Sequence, residues 1–306
     1  MQQGIDFAGW STDAFSTPGA SSSLRALART GATWVSVVVE QYQSTADSTT
    51  ILPTKQTVSD AGLTSIVEQA HALHLNVALK PQIDVVNGAF RGTIGTTFTP
   101  AQWSAWFGSY RTFISHYATL AQSLGVQQLV IGTELTQASS HAPQWRSLIS
   151  TVRSAFSGSL TYAANYGSEV QDITWWNDLS YIGVDAYYPL DSSEPNYGWS
   201  PYVAELAALS KQWHKQVLLT EIGYRSVAGA PSEPWNFNLS GPADTATQNG
   251  AYAAAFRAFA AKRWFAGMYW WVWSPQIPNG SNDDGYSPQN KPAEKQLRTW
   301  YGAERP

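Results

Sequence analysis

The stretch KQVLLTEIGY (215–224) runs three apolar residues, Val217, Leu218 and Leu219, into Thr220 and the carboxylate Glu221. QQLVIGTEL (127–135) repeats the design and ends on Glu134. An acid closing an apolar run is costly if buried and serves nothing if merely solvated. The pattern makes sense if each run is a buried strand and each acid sits at its mouth.

Six further runs have the same strand-like character: 4–10, 33–42, 76–84, 159–166, 181–190 and 267–273. Between them lie helical patterns, near 21–30, after Ser59, near 143–156, 200–213 and 246–264, and at 292–301. Thr99-Pro100 is the sign of an N-cap followed by proline at the first helical position. Behind it Trp103, Trp106, Phe107, Tyr110, Ile114 and Tyr117 form a stripe spaced by threes and fours, which is read as helix-to-barrel packing. The link after the fifth strand is short and has room for about one helical turn, around residues 173–179.

Eight strands alternating with helices require parallel pairing with crossovers, and near-continuous apolar strands imply a sheet buried on both faces. The economical closure is a single α/β domain spanning 1–306, a (β/α)8 barrel. An open doubly wound sheet would want a glycine-rich phosphate turn after the first strand, and Gly9-Trp10-Ser11-Thr12 is not one.

Composition narrows the function. Charged residues make up 13% of the 306 residues and the net charge is −4. The basic residues form no run, so nucleic acid is not an expected partner. No apolar run approaches a membrane-spanning length. With no cysteine, disulfides, thiol catalysis and Cys-ligated metals are excluded. The five histidines all fall outside the strands, which argues against a His-ligated metal or a Ser-His-Asp triad, and no cofactor is expected. Fifteen Trp and fifteen Tyr suit either a Trp-rich core or platforms for flat apolar ligand faces. Plentiful Ser, Thr, Gln and Asn with scarce Lys suggest a secreted monomer whose leader is missing from this sequence, with cytoplasmic residence the alternative.

In such barrels functional groups gather at the C-terminal strand ends. Those ends carry Trp10, Glu40, Lys80 with Gln82 and Asp84, Glu134, Asn165, Asp185 with Tyr187, Glu221 and Trp273. The ring is polar, acidic and aromatic. Two carboxylates at strand ends four and seven can split a glycosidic bond, one protonated to serve the leaving oxygen and one ionised. The reading gives Glu221 an acid, not a cation, as its partner, because neither strand supplies a base nearby.

IGTEL (131–135), WWNDLSYIGVDAYYPL (175–190), LLTEIGYRS (218–226), YWWVW (269–273) and GYSPQNKPAE (285–294) resemble glycoside hydrolase family 113 over about residues 4–301. That clan A family of (β/α)8 barrels acts mainly as endo-β-1,4-mannanase with retention. The resemblance implies Glu134 as acid/base, Glu221 as nucleophile and a β-linked polysaccharide, foremost mannan, as substrate. It further implies Trp273 as the platform under the −1 sugar, with Trp10 a weaker second. Tyr187 is expected to donate to Glu221, and Tyr188 to pack under a helix. Asp185 is expected either to bind sugar hydroxyls or to hold Lys80. Lys80 is expected to contact a sugar hydroxyl or a carboxylate, and Gln82 and Asn165 to line the substrate site. Many clan members carry Asn before the acid/base where this chain has Thr133, so Asn165 is a candidate for the missing 2-hydroxyl contact. The long segment 225–246, with Trp235 and Phe237, is a candidate cleft wall. Glucan or chitosan remain alternative substrates, and an inactive glycan-binding barrel an alternative class. An aldolase-like barrel would want a Schiff-base lysine or a phosphate turn near strands seven and eight.

Overall fold

A computed structural model describes residues 1–276 and 282–302. Eight parallel strands close a barrel in chain order: β1 (Gln2–Phe7), β2 (Trp34–Gln43), β3 (Asn76–Val85), β4 (Gln128–Thr133), β5 (Ser159–Asn165), β6 (Ile182–Asp185), β7 (Val217–Ile222) and β8 (Phe265–Trp273). This is the (β/α)8 architecture that the alternation of strand and helix patterns implied. β8 pairs with β1 through Gln2–Gly267 and Ile5–Trp270, so no edge is left unpaired.

The helices follow their sequence signals. α1 (Pro18–Ala28) starts where Thr17 caps the Ala20 amide, and α2 (Asp60–Ala72) where Ser59 caps Gly62. α3 (Pro100–Ser123) begins with a capping box between Thr99 and Gln102, satisfying two otherwise orphaned amides. Its stripe, with Trp106, Phe107 and Tyr110, is buried against the barrel as that spacing required. A single turn, α4 (Thr136–Ser139), precedes α5 (Ala142–Ala155); α6 (Ser168–Asp172), α7 (Ser200–Trp213), α8 (Thr245–Phe259) and α9 (Pro292–Gly302) complete the ring. The link after β5 holds α6 and a 3-10 turn at Trp176–Asp178. β6 is shorter than expected: beyond Asp185 the chain leaves the ladder, although Ala186 still donates to the Glu221 carbonyl at 2.7 Å.

Aromatic side chains fill the layer between barrel and helices. Trp145 stacks on Trp175 at 4.9 Å, and Trp270 stacks on Tyr252 of α8 at 3.7 Å. Much of the high Trp and Tyr content is therefore core. Tyr188 packs there too, on Tyr202 of α7. Gly132, two residues before Glu134, must be glycine: a Cβ there would lie 2.7 Å from Tyr162 and 2.9 Å from Trp145 and Tyr110. That close approach presses the end of β4 onto a rigid aromatic floor.

Candidate active site

The end of β4 is built to project Glu134. Its register with β5 shifts between Val130 and Thr133, an irregularity of the kind that re-aims a side chain. Glu134 has φ of 51°, a left-handed conformation that a side chain adopts only when its surroundings impose it. The surroundings here are explicit. The Glu134 amide donates to the Ala163 carbonyl at 2.8 Å, and the Leu135 amide to the Tyr162 hydroxyl at 2.8 Å. Tyr162 donates in turn to Glu169 at 2.7 Å, and the second Glu169 oxygen accepts from the Asn165 amide at 2.7 Å. Glu169 is buried in α6 and clamps β5 to the turn that carries Glu134.

Glu221 sits deeper, 5% exposed. Its Oε1 accepts from Lys80 Nζ at 2.5 Å and from Gln82 Nε2 at 3.1 Å; its Oε2 accepts from the Tyr187 hydroxyl at 2.6 Å. The expectation that Glu221 has an acid but no cation for a partner is therefore wrong. Lys80 lies on β3, and the closed barrel lets an inward side chain of β3 reach across to β7. Sequence neighbourhood alone could not show this.

Lys80 also donates to the Thr220 carbonyl at 3.3 Å and lies 3.6 Å from Asp185 Oδ1. Asp185 is fully buried, accepts from the Thr220 hydroxyl at 2.7 Å, and faces Glu221 in the β6–β7 register. Asp6 of β1 is buried in the same interior layer. Burial works against the Lys80 charge, but Asp185, Glu221 and Asp6 outweigh it and hold the ammonium above its usual range. Burial pushes Asp6 up to about 7, with Lys80 opposing and Glu221 adding to the rise. Asp185 is likewise raised, by burial first and then by Glu221.

Both acids open on one cleft of about 610 Å³ at the C-terminal mouth, shared with Trp10, Glu40, Arg91, Asn165, Tyr187, Trp235 and Trp271 among others. Glu134 is half-buried on its floor. Enclosure by protein lifts its carboxyl to about 7; Arg91 opposes that rise, while Glu221 and Glu169 reinforce it. The two acids thus stand in unlike surroundings, one saturated with donors and the other held towards its neutral form.

Four residues considered for sugar contact lie elsewhere, and for Asp185 and Lys80 the other expected role holds, since Lys80 pairs with the Asp185 and Glu221 carboxyls. Lys80, Gln82 and Asp185 are buried beneath the cleft, where they touch Glu221 or one another but present nothing to a ligand. Trp273 is 1% exposed and points into the helical layer, donating to Ser23 Oγ at 2.9 Å. The reason is local. Ile5 pairs with Trp270 but Phe7 pairs with Trp273, so β8 carries one extra residue there and the alternation slips by one. Trp271 faces the cleft in its place. Of the other candidates, Trp10, Asn165 and Tyr187 line the cleft. Trp10, 47% exposed, donates to Glu40 Oε2 at 3.1 Å, an oxygen that also accepts from Tyr42 at 2.8 Å. Thr133 is buried away from the cleft.

The sequence reading missed Arg91, Glu169 and Trp271 as site residues. Arg91 follows β3 and donates to Gln82 Oε1 at 2.9 Å, completing a chain of contacts to Glu221. A cation in the loop after a strand bearing Gln82 and Asp84 was the available signal. The 225–246 segment does form a wall: Trp235 stacks on Tyr166 at 6.0 Å, and both line the cleft. Arg225 pairs with Asp284 at 2.9 Å and Lys291 donates to Ser226 Oγ at 2.7 Å, which ties this wall to the residues after β8. Among the described residues no His/Cys/Asp/Glu cluster suits a metal ion, and no helix is long and apolar enough to cross a membrane.

A closed parallel barrel with two carboxyls in contrasting environments at strand ends four and seven, under an aromatic-lined cleft, has the parts of a glycoside hydrolase. The family model for Glycoside Hydrolase Family 113 matches residues 7–291, and the chain belongs to that family. Among solved structures, a family 113 β-1,4-mannanase complex superposes with a TM-score of 0.92 at 28% identity, over 99% of each chain. The β-mannanase AaManA from Alicyclobacillus acidocaldarius, in complex with ManMIm, gives 0.92 at 31% identity over 98% of this chain and 97% of its own. A family 5 mannosidase from Rhizomucor miehei, at 10% identity and a TM-score of 0.65, shares the fold. No curated protein matches.

Proposed function

We propose that this glycoside hydrolase is a retaining, endo-acting β-1,4-mannanase with Glu221 as nucleophile and Glu134 as acid/base. The observation that carries the roles is the unequal treatment of the two carboxyls. Three donors, one of them charged, hold Glu221 as an oriented anion. Burial and the nearby Glu221 charge keep a proton on Glu134 towards neutral pH. In the first step Glu221 attacks the anomeric carbon as the glycosidic bond breaks, and the leaving oxygen takes the Glu134 proton. In the second, water loses a proton to Glu134 and attacks the same carbon, and the bonding electrons return to Glu221.

Mannan is favoured by the similar solved structures, which are described as β-mannanases. Endo action is supported by aromatics on opposite sides of the mouth: Trp10 and Trp271 at β1 and β8, Tyr166 and Trp235 near β5. A polymer chain can rest on both with the acids between them. Two measurements test the proposal. Manno-, gluco-, xylo- and chito-oligosaccharides are compared as substrates, and Glu221→Ala is assayed with added azide. Internal cleavage of manno-oligosaccharides is expected, with an inverted glycosyl azide from the mutant. Preference for another series refutes the substrate, and undiminished hydrolysis by Glu221→Ala refutes the mechanism.

A further inference from the structure

Three carboxyls, Asp6, Asp185 and Glu221, surround the Lys80 ammonium inside the barrel, and the cleft does not reach it. Lys80 is close to Glu221 Oε1, at 2.5 Å, and further from Asp185 Oδ1, at 3.6 Å. Asp185 Oδ2 has no hydrogen-bond partner among the described residues. Leaving a buried carboxyl oxygen unsatisfied is costly, so the arrangement calls for an explanation beyond packing.

The proposed mechanism supplies one, and the inference rests on it. While the sugar is attached, Glu221 is a neutral ester. Its Oε1 is then a weak acceptor, and the ammonium beside it loses a full counter-charge. Asp185 lies on the neighbouring strand, pinned by Thr220, with an oxygen to spare. The oxygens of Glu221 are also distinguishable. Oε1 carries two donors in the buried layer, and Oε2 carries only Tyr187 at the cleft.

We infer that Lys80 is a positioning residue that changes partner during the reaction, pairing with Glu221 in the free enzyme and with Asp185 in the glycosyl-enzyme, while Oε2 forms the bond to the sugar. The Oε2–C1 bond forms as the glycosidic C–O bond breaks. In the second step Oε2–C1 breaks, its electron pair returns to Glu221, and Lys80 stabilises the regenerated carboxylate. Lys80 therefore helps Glu221 leave more than it helps Glu221 attack. Asp185 does the opposite, because it stabilises the cation at the intermediate stage.

The two partners give opposite kinetic signatures. The assay uses 2,4-dinitrophenyl β-mannobioside, whose leaving group needs no acid, in stopped flow with the intact enzyme. Lys80→Met removes the charge and keeps the length. It should show a burst of dinitrophenolate, with kcat and KM falling together by about 10- to 100-fold, the effect expected for one lost charged hydrogen bond. Asp185→Asn should show no burst, a lower kcat/KM, and less acid-quenched glycosyl-enzyme than the parent. A purely structural role makes both variants lose kcat/KM alike with no burst, and that result overturns the inference. So does a Lys80→Met enzyme with parental kcat and KM. If Lys80→Met proves unfolded by circular dichroism, the Asp185→Asn arm decides: an undiminished steady-state intermediate overturns the inference. Failure of the underlying mechanism is seen separately, as parental turnover by Glu221→Ala.

Discussion

Raising the pH should silence the enzyme through Glu134. Burial lifts this carboxyl to about 7, with Glu221 and Glu169 adding to the rise and Arg91 opposing it. The acid must carry its proton to serve the leaving oxygen, so kcat/KM on mannopentaose should fall along an alkaline limb centred near the carboxyl's raised value. One deprotonation costs tenfold per pH unit, so about two units above that value, the rate should be about 100-fold below its plateau. Arg91→Met removes the cation that opposes the rise and should move the limb to higher pH. An activated aryl mannoside, which leaves without a proton, should lack the limb. Measuring kcat/KM against pH for both substrates in both enzymes makes the assay. An equal alkaline fall with both substrates would refute the assignment of Glu134 as the acid. A limb that moves to lower pH in Arg91→Met would refute the electrostatic account.

The same raised carboxyl has a stability consequence. Its folded value lies above its unfolded one, so its contribution is favourable at low pH and is lost as pH rises from about 4.5 to about 7. Glu134→Gln should therefore raise the melting temperature at about pH 8 and change it little at about pH 4, in paired calorimetric scans. Tyr187→Phe removes the donor of a 2.6 Å bond to Glu221 Oε2 and should cost about 1.5–3 kcal/mol of transition-state stabilisation, seen as a roughly 10- to 150-fold lower kcat/KM. Trp271→Ala should weaken hydrolysis with little loss of stability. Trp273→Ala should destabilise the fold by about 3–5 kcal/mol, because that ring is core; urea titration separates the two.

The sequence carried the frame of this account but not its wiring. Eight apolar runs and the placement of Glu134 and Glu221 at two of their ends were readable because strand burial and strand ends are local properties. What escaped depends on closure. Lys80 meets Glu221 only because β3 and β7 face each other across a barrel, 141 residues apart in the chain. Trp271 displaces Trp273 because one extra residue in β8 inverts the alternation, and a two-residue period cannot reveal a bulge. Glu169 was invisible because its role is to hold Tyr162 and the Asn165 amide, which its place in a short helix does not announce.

The most direct test of the central claim is covalent. An activated 2-deoxy-2-fluoro-β-mannoside is incubated with the enzyme, which is then digested with trypsin and mapped by mass spectrometry. The account predicts one fluoromannosyl group on the peptide of residues 216–225, at Glu221. A label on Glu134 or elsewhere, or turnover of the parent substrate that inverts the anomeric centre without any label, would contradict it.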